Sequence, residues 1–535
     1  MRPAGIDESA SRDYDERWSN RLLRLVESVE KENLHSLGTA VLGAGPAGLT
    51  AAYVLGLRGK PGAVFESDGM VGGIAKTVEF RGYRFDLGGH RFFTKLRPVE
   101  RLWEELLGPE FLTRPRLSRI YYDGQFFAYP LTAKDVVARL GFVEASRCAL
   151  SYLRTRLGRG GGEPETFEEW VTSRFGRRLY NAFFRSYTEK VWGIPGSEIR
   201  AEWAAQRIKD FSLFKAMLSI LGLSRQQVTT LIDEFRYPRL GPGQMWETCQ
   251  ARVEERGIPV CLNRRCVAVR HAGGRVGSVT VRANGSLVEY PVDALLSSIP
   301  LGELVQIMEP QAPGEVLAAA ARLRYRELVV VALITSEPEP FPDNWIYLHD
   351  PGTRAGRVQN FGAWSESMVL AGTSCLGVEY FCFEGDEIWE LPEEQAVALA
   401  TDELARIGLL DPATVIDGVK VRVAKAYPMY DAAYRDAVSV LRGYLERFDN
   451  LQTFGRNGLH RYNNQDHSMW TAILATMNLI DGTSHDVWSV NTEADYHEEG
   501  EPVDSLLDLE FGADLAALGR RPSHEGASAP PRRPW

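Results

Sequence analysis

The sequence predicts an α/β protein: a parallel-sheet nucleotide-binding unit assembled from separated segments, a helical unit and an antiparallel-sheet unit. Three observations predict it. Strand, glycine-rich turn, helix and second strand follow one another between 39 and 66. Helical apolar spacing dominates from about 96 to 236, in ERLWEELL, KDVVARL, FEEWVTSRF and LYNAFFRSY. Short strand-like runs then fill 258–300 and 326–385, a helix falls near 394–408, and a last strand and helix occupy 451–479.

At 535 residues the chain is too long for one compact core. The expected division is an N-terminal helical extension at 1–37 and a nucleotide-binding domain from 38–95, 245–305 and 445–485. A helical domain follows at 96–244 and a sheet-rich domain at 306–444. A glycine-rich linker is expected at 158–165 and a disordered Pro/Arg/Ser tail at 519–535. Hydrophobic residues at 44% and charged ones at 25% exclude a wholly disordered or collagen-like chain.

Acidic residues outnumber basic ones, 71 to 61, giving a net charge of -10, which argues against a general nucleic-acid or acidic-membrane binder. The six cysteines form no CxxC pair and read as thiols of a reducing compartment. The first residues are polar, without the apolar core of a signal peptide. The densest apolar runs, such as 328–334, fall far short of the roughly 20 residues a membrane helix needs. A cytoplasmic protein with no integral membrane segment is expected.

The first chemical signal is Gly43, Gly45 and Gly48, directly after a strand and opening a helix. Gly43 permits the tight turn, Gly45 admits a pyrophosphate against the backbone, and Gly48 lets helix and sheet approach. The helix N-terminus then faces the phosphates. Glu66 ends the second strand, where an acid accepts hydrogen bonds from an adenosine ribose. Together these predict a Rossmann-type dinucleotide site.

Gly72 and Gly73 follow, then Lys76, Thr77 and the strand-like TVEFRGYRFDLG. That continuation resembles the FAD-binding start of the superfamily of amine oxidases, protoporphyrinogen oxidases and UDP-galactopyranose mutases. The resemblance implies FAD as cofactor, with Gly72 and Gly73 near the pyrophosphate and the isoalloxazine. No second fingerprint for NAD(P) is present. The C-terminal run Thr453, Phe454, Gly455, Arg456, Asn457, Gly458 precedes a polar segment and an apolar helix. In the superfamily the matching helix N-terminus faces the flavin pyrimidine ring, where its positive end favours negative charge.

The middle of the chain narrows the resemblance. ETFEEW at 165–170, GRRLYNAFF at 176–184 and YTEKVWG at 187–193 resemble a stretch of UDP-galactopyranose mutases, in order with matches from about 38 to 482. Gly88-Gly89-His90 resembles that family's Gly-Pro-His motif beside the flavin. Tyr325-Arg326 resembles its Tyr-Arg pair, and Tyr427-Pro428 and Arg456 with Tyr462 its C-terminal positions.

The resemblance implies a pyranose–furanose ring interconversion of a nucleotide-linked sugar through N5 of reduced FAD, with no net redox change, in carbohydrate biosynthesis. It assigns His90, Arg207 and Arg326 to catalysis, and Tyr187, Trp192, Tyr325, Tyr347, Tyr427 and Tyr462 to the substrate. It assigns Gly43, Gly45, Gly48, Glu66, Gly72, Gly73, Gly89, Val267, Gly455, Arg456 and Asn464 to the cofactor. Arginines suit a departing diphosphate because a guanidinium matches phosphate oxygens bidentately.

Two departures stand out: the apolar run at 209–235 matches nothing in the family, and His460 and Asn464 replace an aromatic and an aspartate. His460 and His467, seven apart, lack metal-ligand spacing, so no metal site is expected. His90, Tyr187 and Trp192 also suit plain core packing, and 345–347 plain sheet. The alternative activity is an FAD-dependent oxidoreductase, an oxidase or desaturase, acting on a sugar, amine or small metabolite. A small-molecule substrate, no nucleic-acid partner and a homodimeric assembly complete the expectation.

Overall fold

The computed structural model describes residues 36–129, 133–157, 164–201 and 234–491. The readings on most of the extension, linker and 209–235 run, on Arg207 and on the tail lie outside the described residues.

Five short strands form a parallel sheet in the order Leu451–Thr453, Ala294–Ser297, Thr39–Leu42, Gly62–Phe65, Val260–Cys261. Their runs TAVL, GAVF and ALLS are buried on both faces, as parallel strands under helices must be. The strands come from three distant segments, which is how a chain with one nucleotide fingerprint builds one sheet. The helix Pro46–Leu57 is apolar all round and buried from Ala47 to Leu55. It is covered by the last helix, Gln465–Ile480, buried from Asp466 to Thr476. A helix without a polar face belongs inside a layer.

The second sheet has seven strands in the order Val415–Pro428, Tyr325–Thr335, Ser374–Cys382, Arg357–Asn360, Trp345–Leu348, Ser118–Tyr122, Gln125–Ala128. All neighbours are antiparallel except Trp345–Leu348 with Ser118–Tyr122. Along Tyr325–Thr335, Val329, Val331 and Leu333 enter one core while Leu328, Val330, Ala332 and Ile334 enter another. The period of two thus fills both faces, and the strand reads as a continuous apolar run.

The 96–244 segment, expected as helical, also lends the strands Ser118–Tyr122 and Gln125–Ala128 to this sheet. Their inward residues Ile120 and Phe127 pack on the helices. Among those, Phe167–Phe175 starts at a capping box of Thr166 and Glu169, and Ser186–Trp192 ends at Gly193. No helix among the described residues is long and apolar enough to cross a membrane.

Candidate active site

The carboxyl ends of the parallel strands open onto one cavity of about 1170 Å³. In open parallel sheets this edge is where ligands bind. Gly43 turns the chain at φ +96°, and Gly48 must lack a side chain because a Cβ there would lie 1.8 Å from the Gly43 carbonyl oxygen. Gly45 faces the cavity, where a Cβ would meet nothing nearer than Gly73 Cα at 3.7 Å. The helix that follows has no side-chain cap and no acidic residue in its first turn, so its N–H groups remain for an anion. Glu66 Oε2 accepts the Ala44 N–H at 2.7 Å, and Oε1 accepts that of Asp68 at 2.8 Å. The carboxylate thereby holds the loop while lining the cavity. Gly72 donates to the Ala44 carbonyl at 2.9 Å and sets Gly73 against Gly45.

Glycine cradle, open helix N-terminus and ribose-side carboxylate together fit a flavin dinucleotide. Arg264, Arg265 and Cys266 complete this end, and burial pushes the Cys266 thiol up to about 12. Val267 stands one residue beyond that wall, at an irregularity in the pairing with the next strand.

At the other end the wall carries Gly89, His90, Tyr347, Arg357, Tyr427, Arg456 and Tyr462. Tyr347 and Arg357 are cross-strand partners, which explains why both face the cavity. Arg357 donates from Nε and Nη2 to Glu379 at 2.9 and 2.6 Å, and Glu379 is wholly buried. Burial alone would lower the Arg357 pKa, but Glu379 outweighs it and keeps the guanidinium charged. A Cβ on Gly89 would lie 3.4 Å from Arg357 Nη1, so the glycine leaves that nitrogen clear.

Arg456 donates from Nε to the Ala426 carbonyl at 2.9 Å and from Nη1 to the Asn463 carbonyl at 3.0 Å. Its Cζ lies 4.1 Å from the Tyr462 ring centroid and 5.1 Å from that of Tyr427, and those two rings stack at 5.6 Å. Each guanidinium therefore fixes itself with two nitrogens and keeps the third for the cavity. His90 is pulled down to about 3 by desolvation and by the cations Arg357 and Arg456, so the imidazole is neutral at pH 7. Asn464 begins the last helix, and its first turn lines the same wall.

Arg326, expected to grip a diphosphate here, does not line this cavity. Its Nε donates to the Val191 carbonyl at 3.1 Å, and Nη2 to those of Lys190 and Phe381 at 3.3 and 2.9 Å. It closes the C-terminus of Ser186–Trp192, and Gly193 makes room, since a Cβ there would lie 2.7 Å from its Cζ. Leu328, two residues on, lines the cavity, whereas the carbonyls of Lys190, Val191 and Phe381 engage Arg326.

Three expected substrate aromatics lie behind the wall rather than on it. Tyr187 stacks on His349 at 4.5 Å and abuts Tyr347 at 5.5 Å. Trp192, 1% exposed, sits edge-on to Tyr427. Tyr325 packs on His460, which burial pulls down to about 4. Gly455, at φ +85°, closes against Ala47 and shapes the loop from behind. Arg357 went unread in the sequence. Its available signal was Glu379, the one charge inside the run SCLGVEYFC at 374–382, which needs a buried cationic partner.

Residues 46–459 match the family described as flavin containing amine oxidoreductase. The probable UDP-galactopyranose mutase of Klebsiella pneumoniae is 27% identical over 172 residues, 30% of this chain and 42% of that protein. The match thus spans less than half of that relative. A crystal structure of reduced UDP-galactopyranose mutase superposes with a TM-score of 0.74 at 21% identity, covering 87% of this chain and 100% of that one. A putative protoporphyrinogen oxidase from Exiguobacterium sp. 255-15 gives 0.63 at 17% identity, over 83% of this chain and 99% of the other. A putrescine oxidase variant gives 0.57 at 16%, over 83% and 99%. At such identities the solved structures establish the fold, and family and fold together establish FAD as the cofactor.

Proposed function

Because this chain belongs to the flavin-containing amine oxidoreductase family and is an FAD-dependent enzyme, we propose that it acts on a nucleotide-activated sugar, interconverting pyranose and furanose forms. One observation carries the reading: two immobilised arginines, Arg357 and Arg456, turn a free nitrogen toward the cavity that holds His90, Tyr347, Tyr427 and Tyr462. A protein of net charge -10 here offers cations to its ligand. A protonated amine would meet two guanidiniums, whereas a diphosphate finds charge-assisted donors already oriented.

When bound and reduced, FAD supplies a nucleophilic N5, splitting one displacement at the anomeric carbon into two easier ones. The chain's own residues bind and orient. Arg357 and Arg456 hold the diphosphate and take up charge as it departs. Burial raises the Tyr427 pKa and keeps it protonated, and Tyr427 and Tyr462 flank Arg456 with their rings. His90 presents a neutral ring beside the two guanidiniums, so the charge offered to the ligand comes from the arginines alone.

The test compares dithionite-reduced and oxidised FAD-loaded protein on a panel of UDP-sugars. Ring isomers should form only with reduced flavin and without net flavin turnover. Substrate-dependent bleaching of oxidised flavin with peroxide, and no isomer, would make the enzyme an oxidoreductase instead.

A further inference from the structure

Residues 483–491 lie beyond the 46–459 stretch that matches the family, yet they supply His485, Asp486, Ser489, Val490 and Asn491 to the cavity wall. Their path is fixed at both ends. At the start, Asn478 on the last helix accepts Thr483 Oγ1 at 2.9 Å and the His485 N–H at 2.7 Å through Oδ1. Its Nδ2 donates to the His485 carbonyl at 2.8 Å. At the far end, Arg461 Nη1 donates to the Val490 carbonyl at 2.8 Å and also to that of Trp488. Val487 and Val490 are buried in the same core as the helices Pro46–Leu57 and Gln465–Ile480.

The segment finishes on Asn491, 2% exposed and held at φ +59°, a conformation asparagine tolerates better than most residues. Its Nδ2 donates to the Tyr462 carbonyl at 3.1 Å and to Asn463 Oδ1 at 2.9 Å. Asn463, also 2% exposed, donates from Nδ2 to the Gly455 carbonyl at 3.0 Å, and its own carbonyl accepts Arg456 Nη1 at 3.0 Å. The Asn491 donor fixes which way the Asn463 amide faces: with Oδ1 toward Asn491, Nδ2 must face Gly455. A buried relay runs from Asn491 through Asn463 to both ends of the Gly455–Arg456 turn.

We propose that 483–491 is a strap and that Asn491 is a positioning residue for Arg456, setting the loop that presents this arginine and Tyr462 to the cavity. The proposal rests on Arg456 binding the anionic part of the substrate. The relay is uncharged and buried, so losing one donor leaves acceptors unsatisfied and frees the loop rather than changing the cavity's charge.

Two variants of the FAD-loaded full chain test it. Asn491→Gly keeps the φ accessible and removes both donors. Asn491→Asp keeps size and φ but turns the donor into an acceptor facing two acceptors. Hydrogen exchange of the peptides covering 453–464, read by mass spectrometry, should quicken about ten-fold in both. UDP affinity by calorimetry should weaken about ten-fold in Asn491→Gly, the variant that adds no charge to the cavity wall, with FAD content unchanged. A strap that merely adds stability would lower the melting temperature and leave both readouts alone. Unchanged exchange at 453–464 in both variants, or faster exchange with unchanged UDP affinity, overturns the proposal. If the wild-type protein binds no UDP, the nucleotide-sugar reading fails, and the exchange measurement still decides the strap.

Discussion

Arg357→Met separates what the buried ion pair does for folding from what it does for the ligand. The guanidinium side chain is 15% exposed and its partner Glu379 is 0% exposed. Removing the arginine leaves the Glu379 carboxylate buried with only the Gln359 amide as side-chain donor, at a cost of about 3–5 kcal/mol. Against a typical folding stability of roughly 5–15 kcal/mol that is a severe loss. The double variant Arg357→Met/Glu379→Gln removes both charges at similar volume and should recover most of it, because an ion pair replaced as a whole is often near neutral. Ligand binding should not recover. A lost charge-assisted bond costs about 1.5–3 kcal/mol, or roughly 10- to 150-fold in UDP affinity, in both variants. Urea unfolding and UDP calorimetry on FAD-loaded protein check the two halves. Near-wild-type UDP affinity in the double variant would refute the placement of Arg357 at the ligand.

The glycine turn gives a contrast: Gly48→Val should not fold, with a Cβ 1.8 Å from a carbonyl oxygen, while Gly45→Val should fold without FAD. Circular dichroism and the visible absorbance of oxidised flavin read this, and a yellow, fully loaded Gly45→Val protein would contradict it. His90 binds its proton only near pH 3 when folded but near 6.5 when unfolded, so stability should fall as pH drops from about 6.5 toward 3. His90→Asn should flatten that decline, and an unchanged stability–pH slope would refute the neutral assignment. Asn464→Asp places a carboxylate where the last helix's positive end meets the cavity. An effect of about 1 kcal/mol should shift the flavin midpoint potential about 20 mV more negative, and a rise would contradict that geometry.

The parts of the site legible in the sequence are those built by contiguous residues. Gly43, Gly45, Gly48 and Glu66 stand on one strand–turn–helix–strand unit, so their spacing fixes their geometry whatever surrounds them. Arg456 and Tyr462 lie on one loop and arrive together. Residues on the large sheet behave otherwise. Whether Arg326 or Arg357 lines the cavity depends on strand order, register and the helix that covers Arg326, none of which local pattern contains. Tyr187 and Trp192 likewise read as contacts because their motif resembles one, but here Tyr347 stands in front of Tyr187. The 96–244 segment looked helical because strands of four or five residues leave little trace among long helical runs.

On the proposed reading the two arginines would carry different parts of the task. Arg357 is charged, rigid and already paired, so Glu379 cancels most of its field at a distance, and what it offers is a fixed donor. Arg456 has no carboxylate within 4 Å among the described residues. It is held by two carbonyls and two tyrosine rings, so its full charge reaches the cavity. Net attraction for an anion, and rejection of a protonated amine, would then come chiefly from Arg456, while Arg357 would supply direction. His90 fits this division: a second cation beside Arg456 would strengthen anion binding, but the arginines themselves keep the imidazole neutral. The position of Arg456 is thus the quantity the fold must control most closely, and it is the one residue of the pair with no strand beneath it. Its loop is fixed instead by Ala426 on one side and by Asn463 on the other, and Asn463 is oriented from the strap.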